Sequence, residues 1–235
     1  MKMLAIVPSF NEESNITDVI ESIKHIKPML DILVVNDGSD DETGALAVST
    51  GLAHVVSLAC NLGIGGAVQT GFKYARENNY DIALQFDGDG QHISSEIDTL
   101  IDPVRNEEAD VVIGSRFCRK QPGFKSPLAR RVGIKIFEIV NSLLINQKIT
   151  DNTSGFRAYN RRAIDFLADN YPMYYPEPEA VILLGKNGFR LKEGFVHMRN
   201  RSSGSSSITW FGSVFYMVTV LLATLMTAVR PKLRL

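Results

Sequence analysis

The chain is poor in cysteine and carries almost no net charge. Among its 235 residues there are two cysteines, Cys60 and Cys118, and each stands alone in the sequence. This spacing argues against a disulfide framework or a zinc site, and a reduced, cytosolic setting fits. The formal net charge of −1 gives no global field that would recruit nucleic acid or acidic partners.

Three common ligand-binding motifs are also missing. A dinucleotide-binding G-x-G-x-x-G pattern starting at Gly63 fails because Val68 stands at the third glycine position. A P-loop fails because no Gly-Lys-Ser/Thr sequence occurs. A calcium-binding EF-hand loop fails because its glycine position falls on His92 and its final glutamate position on Asp98. A hydride-transfer or ATP-hydrolysing enzyme is therefore disfavoured.

What the chain does contain is a regular alternation of apolar runs and helical patterns, with a hydrophobic content of 45% that suffices for a full core. The strands are predicted at Leu4–Pro8, Ile32–Asn36, Val55–Leu58, Ile82–Phe86 and Val111–Gly114. The helices are predicted around the Ile16 to Ile26 stripe and at Asp41–Ser49, Ala67–Asn78, Ser95–Asn106, Leu128–Leu144 and Ala180–Leu184. This alternation predicts an α/β fold with a doubly wound, mostly parallel sheet flanked by helices.

Polar residues follow each of the five predicted strands at the point where the strand ends. In open α/β sheets ligands bind beyond the carboxyl ends of the strands. The sequence therefore predicts that these residues meet at one edge: Asn11 and Glu12, Asp37, Asn61 and Gly63, Asp87 to Gln91, and Ser115 with Arg116.

The segment Asp87–His92 (DGDGQH) leaves a buried strand with two carboxylates and an amide at alternate positions. Alternate side chains of an extended chain share one side, so Asp87, Asp89 and Gln91 are predicted to converge on one hard cation. Oxygen ligands suit Mg²⁺ or Mn²⁺, which proteins usually hold with one or two carboxylates while substrate phosphates complete the shell. The alternative is an ordinary Gly-Asp turn after a strand.

Several short motifs, in this order and spacing, resemble those of the family 2 inverting glycosyltransferases of GT-A fold. Within that family the chain is most similar to dolichol- and polyprenyl-phosphate sugar synthases, over residues 3–207. The motifs that carry the resemblance are Pro8–Glu12, Asn36–Ser39, Asn61–Gly63, Asp87–His92, Gly114–Arg116, Thr153–Arg157 and Arg201–Ser206.

The resemblance implies a role for individual residues in binding a metal ion and a nucleotide sugar, which is expected to be a UDP-sugar. Asp87, Asp89 and Gln91 are expected to bind Mg²⁺ or Mn²⁺, and Asp89 and Arg116 are expected to act on the diphosphate of the donor. Contacts to the nucleotide sugar are expected from Pro8, Phe10, Asn11, Glu12, Asp37, Asn61, Gly63, Asp87 and Arg201.

The acceptor expected from the resemblance is a polyprenyl phosphate, bound by Arg130 and Arg131. A phosphate monoester has a second pKa near ~6 and needs no general base at neutral pH. A hydroxyl of a glycan or of a protein-linked sugar would need a base, and Glu177 and Glu179 are the candidates. A nucleotide-sugar-binding membrane subunit without catalysis is a third interpretation.

The chain is predicted to divide into a glycosyltransferase domain at residues 1–207 and an apolar helix with a basic tail at residues 208–235. No charged residue occurs from Ile208 to Val229, which is long enough to span a bilayer. The basic residues after it and a weakly polar stripe that includes Thr224 and Thr227 favour a helix in the membrane interface or packed in an oligomer. The expected location is the cytoplasmic face of the cell membrane, with a homo-oligomer or a small membrane protein as further partners.

Overall fold

The computed structural model describes residues 1–118, 140–199 and 210–233, with side chains from residue 219 onward in the last range. The strands are β1 (Met3–Ser9), β2 (Asp31–Asn36), β3 (His54–Ser57), β4 (Ile82–Gln85), β5 (Val111–Ser115), β6 (Arg157–Asn160) and β7 (Leu191–Phe195). The helices are α1 (Ile16–Ile26), α2 (Thr43–Ser49), α3 (Gly63–Glu77), α4 (Ile97–Arg105), α5 (Arg161–Asn170), α6 (Pro176–Lys186) and α7 (Trp210–Val229).

These strands form one sheet in the order β3-β2-β1-β4-β6-β5-β7. Strand β1 pairs in parallel with β2 and with β4, and β2 pairs in parallel with β3. Strand β5 pairs in parallel with β7. Strand β6 is antiparallel to both of its neighbours, β4 and β5. The predicted mostly parallel α/β sheet is therefore confirmed, with one antiparallel strand inserted near its middle.

Both faces of the sheet are covered by helices, so the central strands are buried on both sides. Successive residues of β1 alternate between two cores, with Ile6 in one and Val7 in the other. Helices α3, α5 and α6 supply the first core, and α1 and α4 supply the second. Burial on both faces explains why these strands appear in the sequence as continuous apolar runs rather than as alternating patterns.

The five predicted strands and the helices between them are confirmed, with ends that differ by a few residues. Strands β6 and β7 and helix α5 were not predicted, because β6 and β7 are short and carry charged residues. Of the predicted helix at Leu128–Leu144, residues 140–144 are helical and residues 128–139 lie outside the described part.

The C-terminal segment forms helix α7, close to the predicted bounds. Among the described residues, no helix has the length and apolar character needed to cross a membrane. Thr224 and Thr227 of the weakly polar stripe are both buried against the protein. Thr227 finds its hydrogen-bond partner in Glu179 of α6, and the outward positions belong instead to Leu222, Met226 and Val229.

Candidate functional site

A cavity of about 390 Å³ opens at the carboxyl ends of β1, β2 and β4. The first turn of α3 forms one wall, and the acidic segment after β4 forms another. Polar groups that the sequence places in four different loops thus meet in one place. The lining residues are Pro8, Ser9, Phe10, Glu12, Asp37, Asn61, Gly63, Ile64, Ala67, Asp87, Gly88 and Asp89.

The acidic segment reaches the cavity because it continues alongside β1 after β4 has ended. The amide of Gly88 donates to the carbonyl of Pro8 over 3.2 Å. A Cβ at residue 88 would lie 2.4 Å from Ser9 Oγ, which is closer than real Cβ contacts allow. Glycine at this position is what lets the two backbones approach and brings Asp87 and Asp89 to the cavity wall.

Asp87 is a partly exposed carboxylate whose surroundings favour its charged form. His92 Nε2 lies 3.1 Å from Asp87 Oδ2, and Gln85 Nε2 donates to Oδ1 over 3.4 Å. Burial alone would raise the pKa of Asp87, but His92, Gln85 and the buried Arg157 guanidinium together hold it below its ordinary value. Asp87 is therefore ionised at neutral pH, as a metal ligand must be.

The predicted metal ligands are only partly assembled on the cavity wall. Asp87 and Asp89 line the cavity, and Asp89 Oδ1 accepts from the amide of Gln91 over 3.0 Å. The Gln91 side chain does not line it. No group of three or more His, Cys, Asp or Glu side chains in the described ranges is placed to hold a metal. A pair of carboxylates fits Mg²⁺ or Mn²⁺ shared with a diphosphate, since such ions are commonly held by one or two carboxylates.

The residues predicted to contact the nucleotide sugar that line the cavity are Pro8, Phe10, Glu12, Asp37, Asn61, Gly63 and Asp87. Asp37 Oδ1 accepts from the amide of Leu62 over 2.8 Å, and Asn61 Oδ1 accepts from the amide of Gly63 over 2.9 Å. These bonds fix the loop at the start of α3. Phe10 stands at the rim with 42% of its surface exposed. Asn11 does not line the cavity, because its side chain accepts from the amide of Asp40 in the neighbouring loop.

Arg116 is bound by a carboxylate of the protein itself. Its Nε and Nη2 donate to the two oxygens of Asp151 over 2.8 and 2.9 Å, and Nη2 also donates to Thr153 Oγ1. Asp151 is fully buried, so this pair is shielded from solvent. The guanidinium fork that was predicted to bind phosphate is therefore occupied by Asp151 in this structure.

The two glutamates considered as general bases lie in different surroundings. Glu179 accepts from the amide of Tyr175 and from the hydroxyl of Thr227, both over 3.1 Å, and lines a second cavity beside α7. These contacts join Glu179 to Tyr175 and to α7, and its catalytic role stays a prediction. Glu177 interacts electrostatically with Asp87, and burial, opposed by Arg157, raises its pKa.

Three predicted site residues, Arg130, Arg131 and Arg201, lie outside the described residues. The chain approaches the last of these beside the acidic segment, because the amide of Arg199 donates to the carbonyl of Gln91 over 2.8 Å.

The sequence interpretation assigned no role to three residues that surround Asp87. His92 and Arg157 lower the pKa of Asp87 and so favour its charged form, and Gly155 lies directly against the Asp87 carboxylate. All three belong to the motifs quoted from the sequence, so the signal was present. What was missing was the antiparallel β6, which pairs Arg157 with Gln85 and so brings this loop to the acidic segment.

Comparison with known proteins gives a family match over more than half of the chain. The family described as "Glycosyl transferase family 2" matches residues 4–167. Polyprenol monophosphomannose synthase from Mycolicibacterium smegmatis is 32% identical over 216 residues, which cover 88% of this chain and 81% of that protein. The UDP-N-acetylglucosamine–dolichyl-phosphate N-acetylglucosaminyltransferase of Methanococcus voltae is 31% identical over 206 residues, covering 80% of this chain and 82% of that protein.

A solved structure shares the fold at low sequence identity. It is glucosyl-3-phosphoglycerate synthase from Mycobacterium tuberculosis in complex with Mn²⁺, UDP-glucose and phosphoglyceric acid, with a TM-score of 0.68 and 20% identity. The match covers 98% of this chain and 80% of that chain.

Proposed function

The chain belongs to glycosyl transferase family 2, and we propose that this glycosyltransferase moves a sugar from a UDP-sugar to a polyprenyl phosphate. Mg²⁺ or Mn²⁺ would be held by Asp87 and Asp89. The observation that carries the proposal is the meeting of these two carboxylates with Asp37 and Asn61 across one cavity. The names of the two relatives support a lipid-phosphate acceptor, and the Mn²⁺ and UDP-glucose in the related fold support the donor and the metal. The family match also argues against the interpretation as a non-catalytic subunit.

On the donor side, the cavity has separate walls for the two ends of a nucleotide sugar. One oxygen of Asp37 accepts a hydrogen bond from the Leu62 amide. The carboxylate lines the cavity, where it can accept from an N–H group of the nucleobase. Asp87 and Asp89 supply the negative charge that attracts the cation. When bound, the metal would neutralise the charge that develops on the leaving diphosphate.

On the acceptor side, a phosphate monoester supplies its own nucleophile. With a second pKa near ~6, it is largely an oxyanion at neutral pH and needs no proton removed. A phosphate acceptor would therefore not require Glu179, whose two oxygens accept from Tyr175 and Thr227. Arg201 remains our proposal for a donor contact that excludes water, and Arg130 and Arg131 remain our proposal for the acceptor phosphate.

The proposal is tested with Asp89→Asn, which keeps the size of the side chain and removes its charge. Purified protein is incubated with Mn²⁺, undecaprenyl phosphate and a panel of labelled sugar nucleotides, and lipid-linked label is extracted into organic solvent. We expect Asp89→Asn to lose transfer by at least ~100-fold while keeping its circular dichroism spectrum, because one of two metal carboxylates is gone. The matched control is Asp102→Asn, an exposed carboxylate paired with Arg105, which should transfer like wild type.

Each alternative has its own outcome in this assay. Equal turnover by Asp89→Asn rules out the metal role. Transfer from GDP-mannose but from no UDP-sugar rules out a UDP-sugar as the donor. Label confined to the aqueous phase, with a glycan acceptor active instead, rules out the lipid acceptor. For this last alternative Glu177 is the remaining candidate base, and burial raises its pKa.

We further propose that α7 lies on the membrane surface that contains the acceptor. Its described outer positions Leu222, Met226 and Val229 are exposed apolar side chains at helical spacing. Arg230 and Lys232 follow directly and are also exposed. An apolar stripe next to basic residues is typical of helices that lie in a bilayer interface.

A further inference from the structure

The carboxylate of Asp87 is enclosed on three sides. His92 and Gln85 contact its two oxygens, as described above. The third neighbour is Gly155, where a Cβ would lie 2.7 Å from Oδ2 and 2.9 Å from Oδ1 of Asp87. Real Cβ atoms essentially never come this close to another atom, so this position of Asp87 requires a residue without a Cβ at 155.

The loop that carries Gly155 is fixed from behind by a buried arginine. Arg157 is fully buried, and its Nε donates to the carbonyl of Ser154 over 2.7 Å. Its Nη2 donates to the carbonyl of Asn152 over 3.2 Å. A buried guanidinium bound to two carbonyls of one loop resists displacement of that loop, because moving it would leave the charge without its acceptors.

The same loop is also fixed at its two ends. At one end Asp151 binds Arg116 through two hydrogen bonds. At the other end the buried ring of Phe156 packs on His92, with ring centroids 4.7 Å apart. Because these contacts hold the backbone of Gly155 in place, an added methyl group must displace the Asp87 carboxylate instead of the loop.

We propose that Gly155 and Arg157 are positioning residues that hold the Asp87 carboxylate in place for the divalent cation. The loop 151–157 is then the back wall of the metal site, and its effect reaches the metal only through Asp87. This inference rests on the proposed function for the metal, and it adds a second loop, outside the acidic segment, on which metal affinity depends.

The first test is the Mn²⁺ affinity of Gly155→Ala, measured with UDP present by the electron paramagnetic resonance signal of free Mn²⁺. Residues that orient a metal ligand typically change affinity by about 10- to 100-fold, and we expect a loss of that size. The matched control is Gly185→Ala in α6, where a Cβ would crowd Ile145 at 2.5 Å. Gly185→Ala should lower the melting temperature but leave Mn²⁺ affinity unchanged.

The second test does not use a metal at all. Asp87→Ala removes the group that a Cβ at residue 155 would strike, so Gly155→Ala should lower the melting temperature much less in the Asp87→Ala background than in wild type. If Gly155→Ala alone fails to fold, the double variant should fold. Arg157→Lys, which cannot donate to both carbonyls in the same geometry, should also weaken Mn²⁺ binding.

The outcomes separate this inference from the proposed function. Wild-type protein that binds no Mn²⁺ overturns the metal assignment itself. Wild-type binding with unchanged affinity in Gly155→Ala overturns the positioning role, and so do additive losses of stability in the double variant.

Discussion

Glu177 is a carboxyl group whose surroundings disfavour its charge. Burial raises its pKa, and the neighbouring Asp87 carboxylate raises it further, while Arg157 opposes both. A carboxyl group with a raised pKa in the folded state stabilises the fold at pH values below its ordinary pKa. That contribution is lost as the pH rises through the raised value, because the folded chain must then hold a disfavoured charge.

We therefore expect Glu177→Gln to be more stable than wild type at pH 8. The gain should disappear below pH ~3, where the wild-type carboxyl is protonated in both states. Thermal unfolding of both proteins across this pH range measures the difference. Glu108→Gln serves as a control of opposite sign, because the ion pair with Lys192 lowers the pKa of Glu108. A lower melting temperature for Glu177→Gln at pH 8 would mean that the attraction of Arg157 outweighs burial.

At this scale the sequence predicts which polar residues meet in the cavity better than it predicts how they are held. Asp87, Asp89, Asp37 and Asn61 come together because each lies within four residues of the end of a strand, and that is visible in the order of the residues. The contact of Gly155 with Asp87 depends on pairing between distant strands, and no local pattern carries that information.

At the scale of elements, a buried hydrogen bond contributes to the contact between the C-terminal helix and α6. Thr227 of α7 donates to Glu179 of α6, and the Thr227 side chain is almost fully buried. Thr227→Val removes the donor and keeps the shape, leaving one oxygen of a buried carboxylate without this partner. An unsatisfied buried group costs about 1–3 kcal/mol, so the free energy of unfolding should fall by about that amount.

A second threonine of the same helix provides the control. Thr224 is also buried, but its hydroxyl donates to the carbonyl of Leu221 within α7. Thr224→Val removes a donor whose acceptor already belongs to the helix, so it should cost much less than Thr227→Val. Denaturant unfolding of both variants, with hydrogen exchange of α7, measures the difference. Equal losses would show that the contact with Glu179 contributes nothing specific.

The elements themselves were largely predictable, and their orientation was not. Strands β1, β2, β4 and β5 are buried on both faces, so their sequences are largely continuous apolar runs that indicate strands directly. In α7, however, Thr224 and Thr227 face the protein, and Glu179 offers Thr227 an acceptor. A helical period shows that a helix has two faces, and it does not show which face another element will cover.

At the scale of the whole molecule, the cavity and the proposed membrane surface must serve one reaction. A nucleotide sugar is water-soluble and a polyprenyl phosphate is confined to the bilayer, so a transferase for both must work at the interface. The outer face of α7 offers apolar contact, and the exposed Arg230 and Lys232 offer attraction to anionic lipid.

The double variant Met226→Glu, Val229→Glu tests this arrangement, since both side chains are exposed and the change should not disturb the core. In sedimentation with vesicles of phosphatidylcholine and phosphatidylglycerol, we expect at least ~10-fold weaker binding, because two apolar side chains no longer enter the interface. Val48→Glu, at an exposed apolar position of α2, should bind vesicles like wild type. Transfer to a lipid phosphate in vesicles should fall with binding, whereas transfer to a detergent-solubilised acceptor should not. Vesicle binding by the double variant equal to that of wild type would remove α7 as the membrane contact.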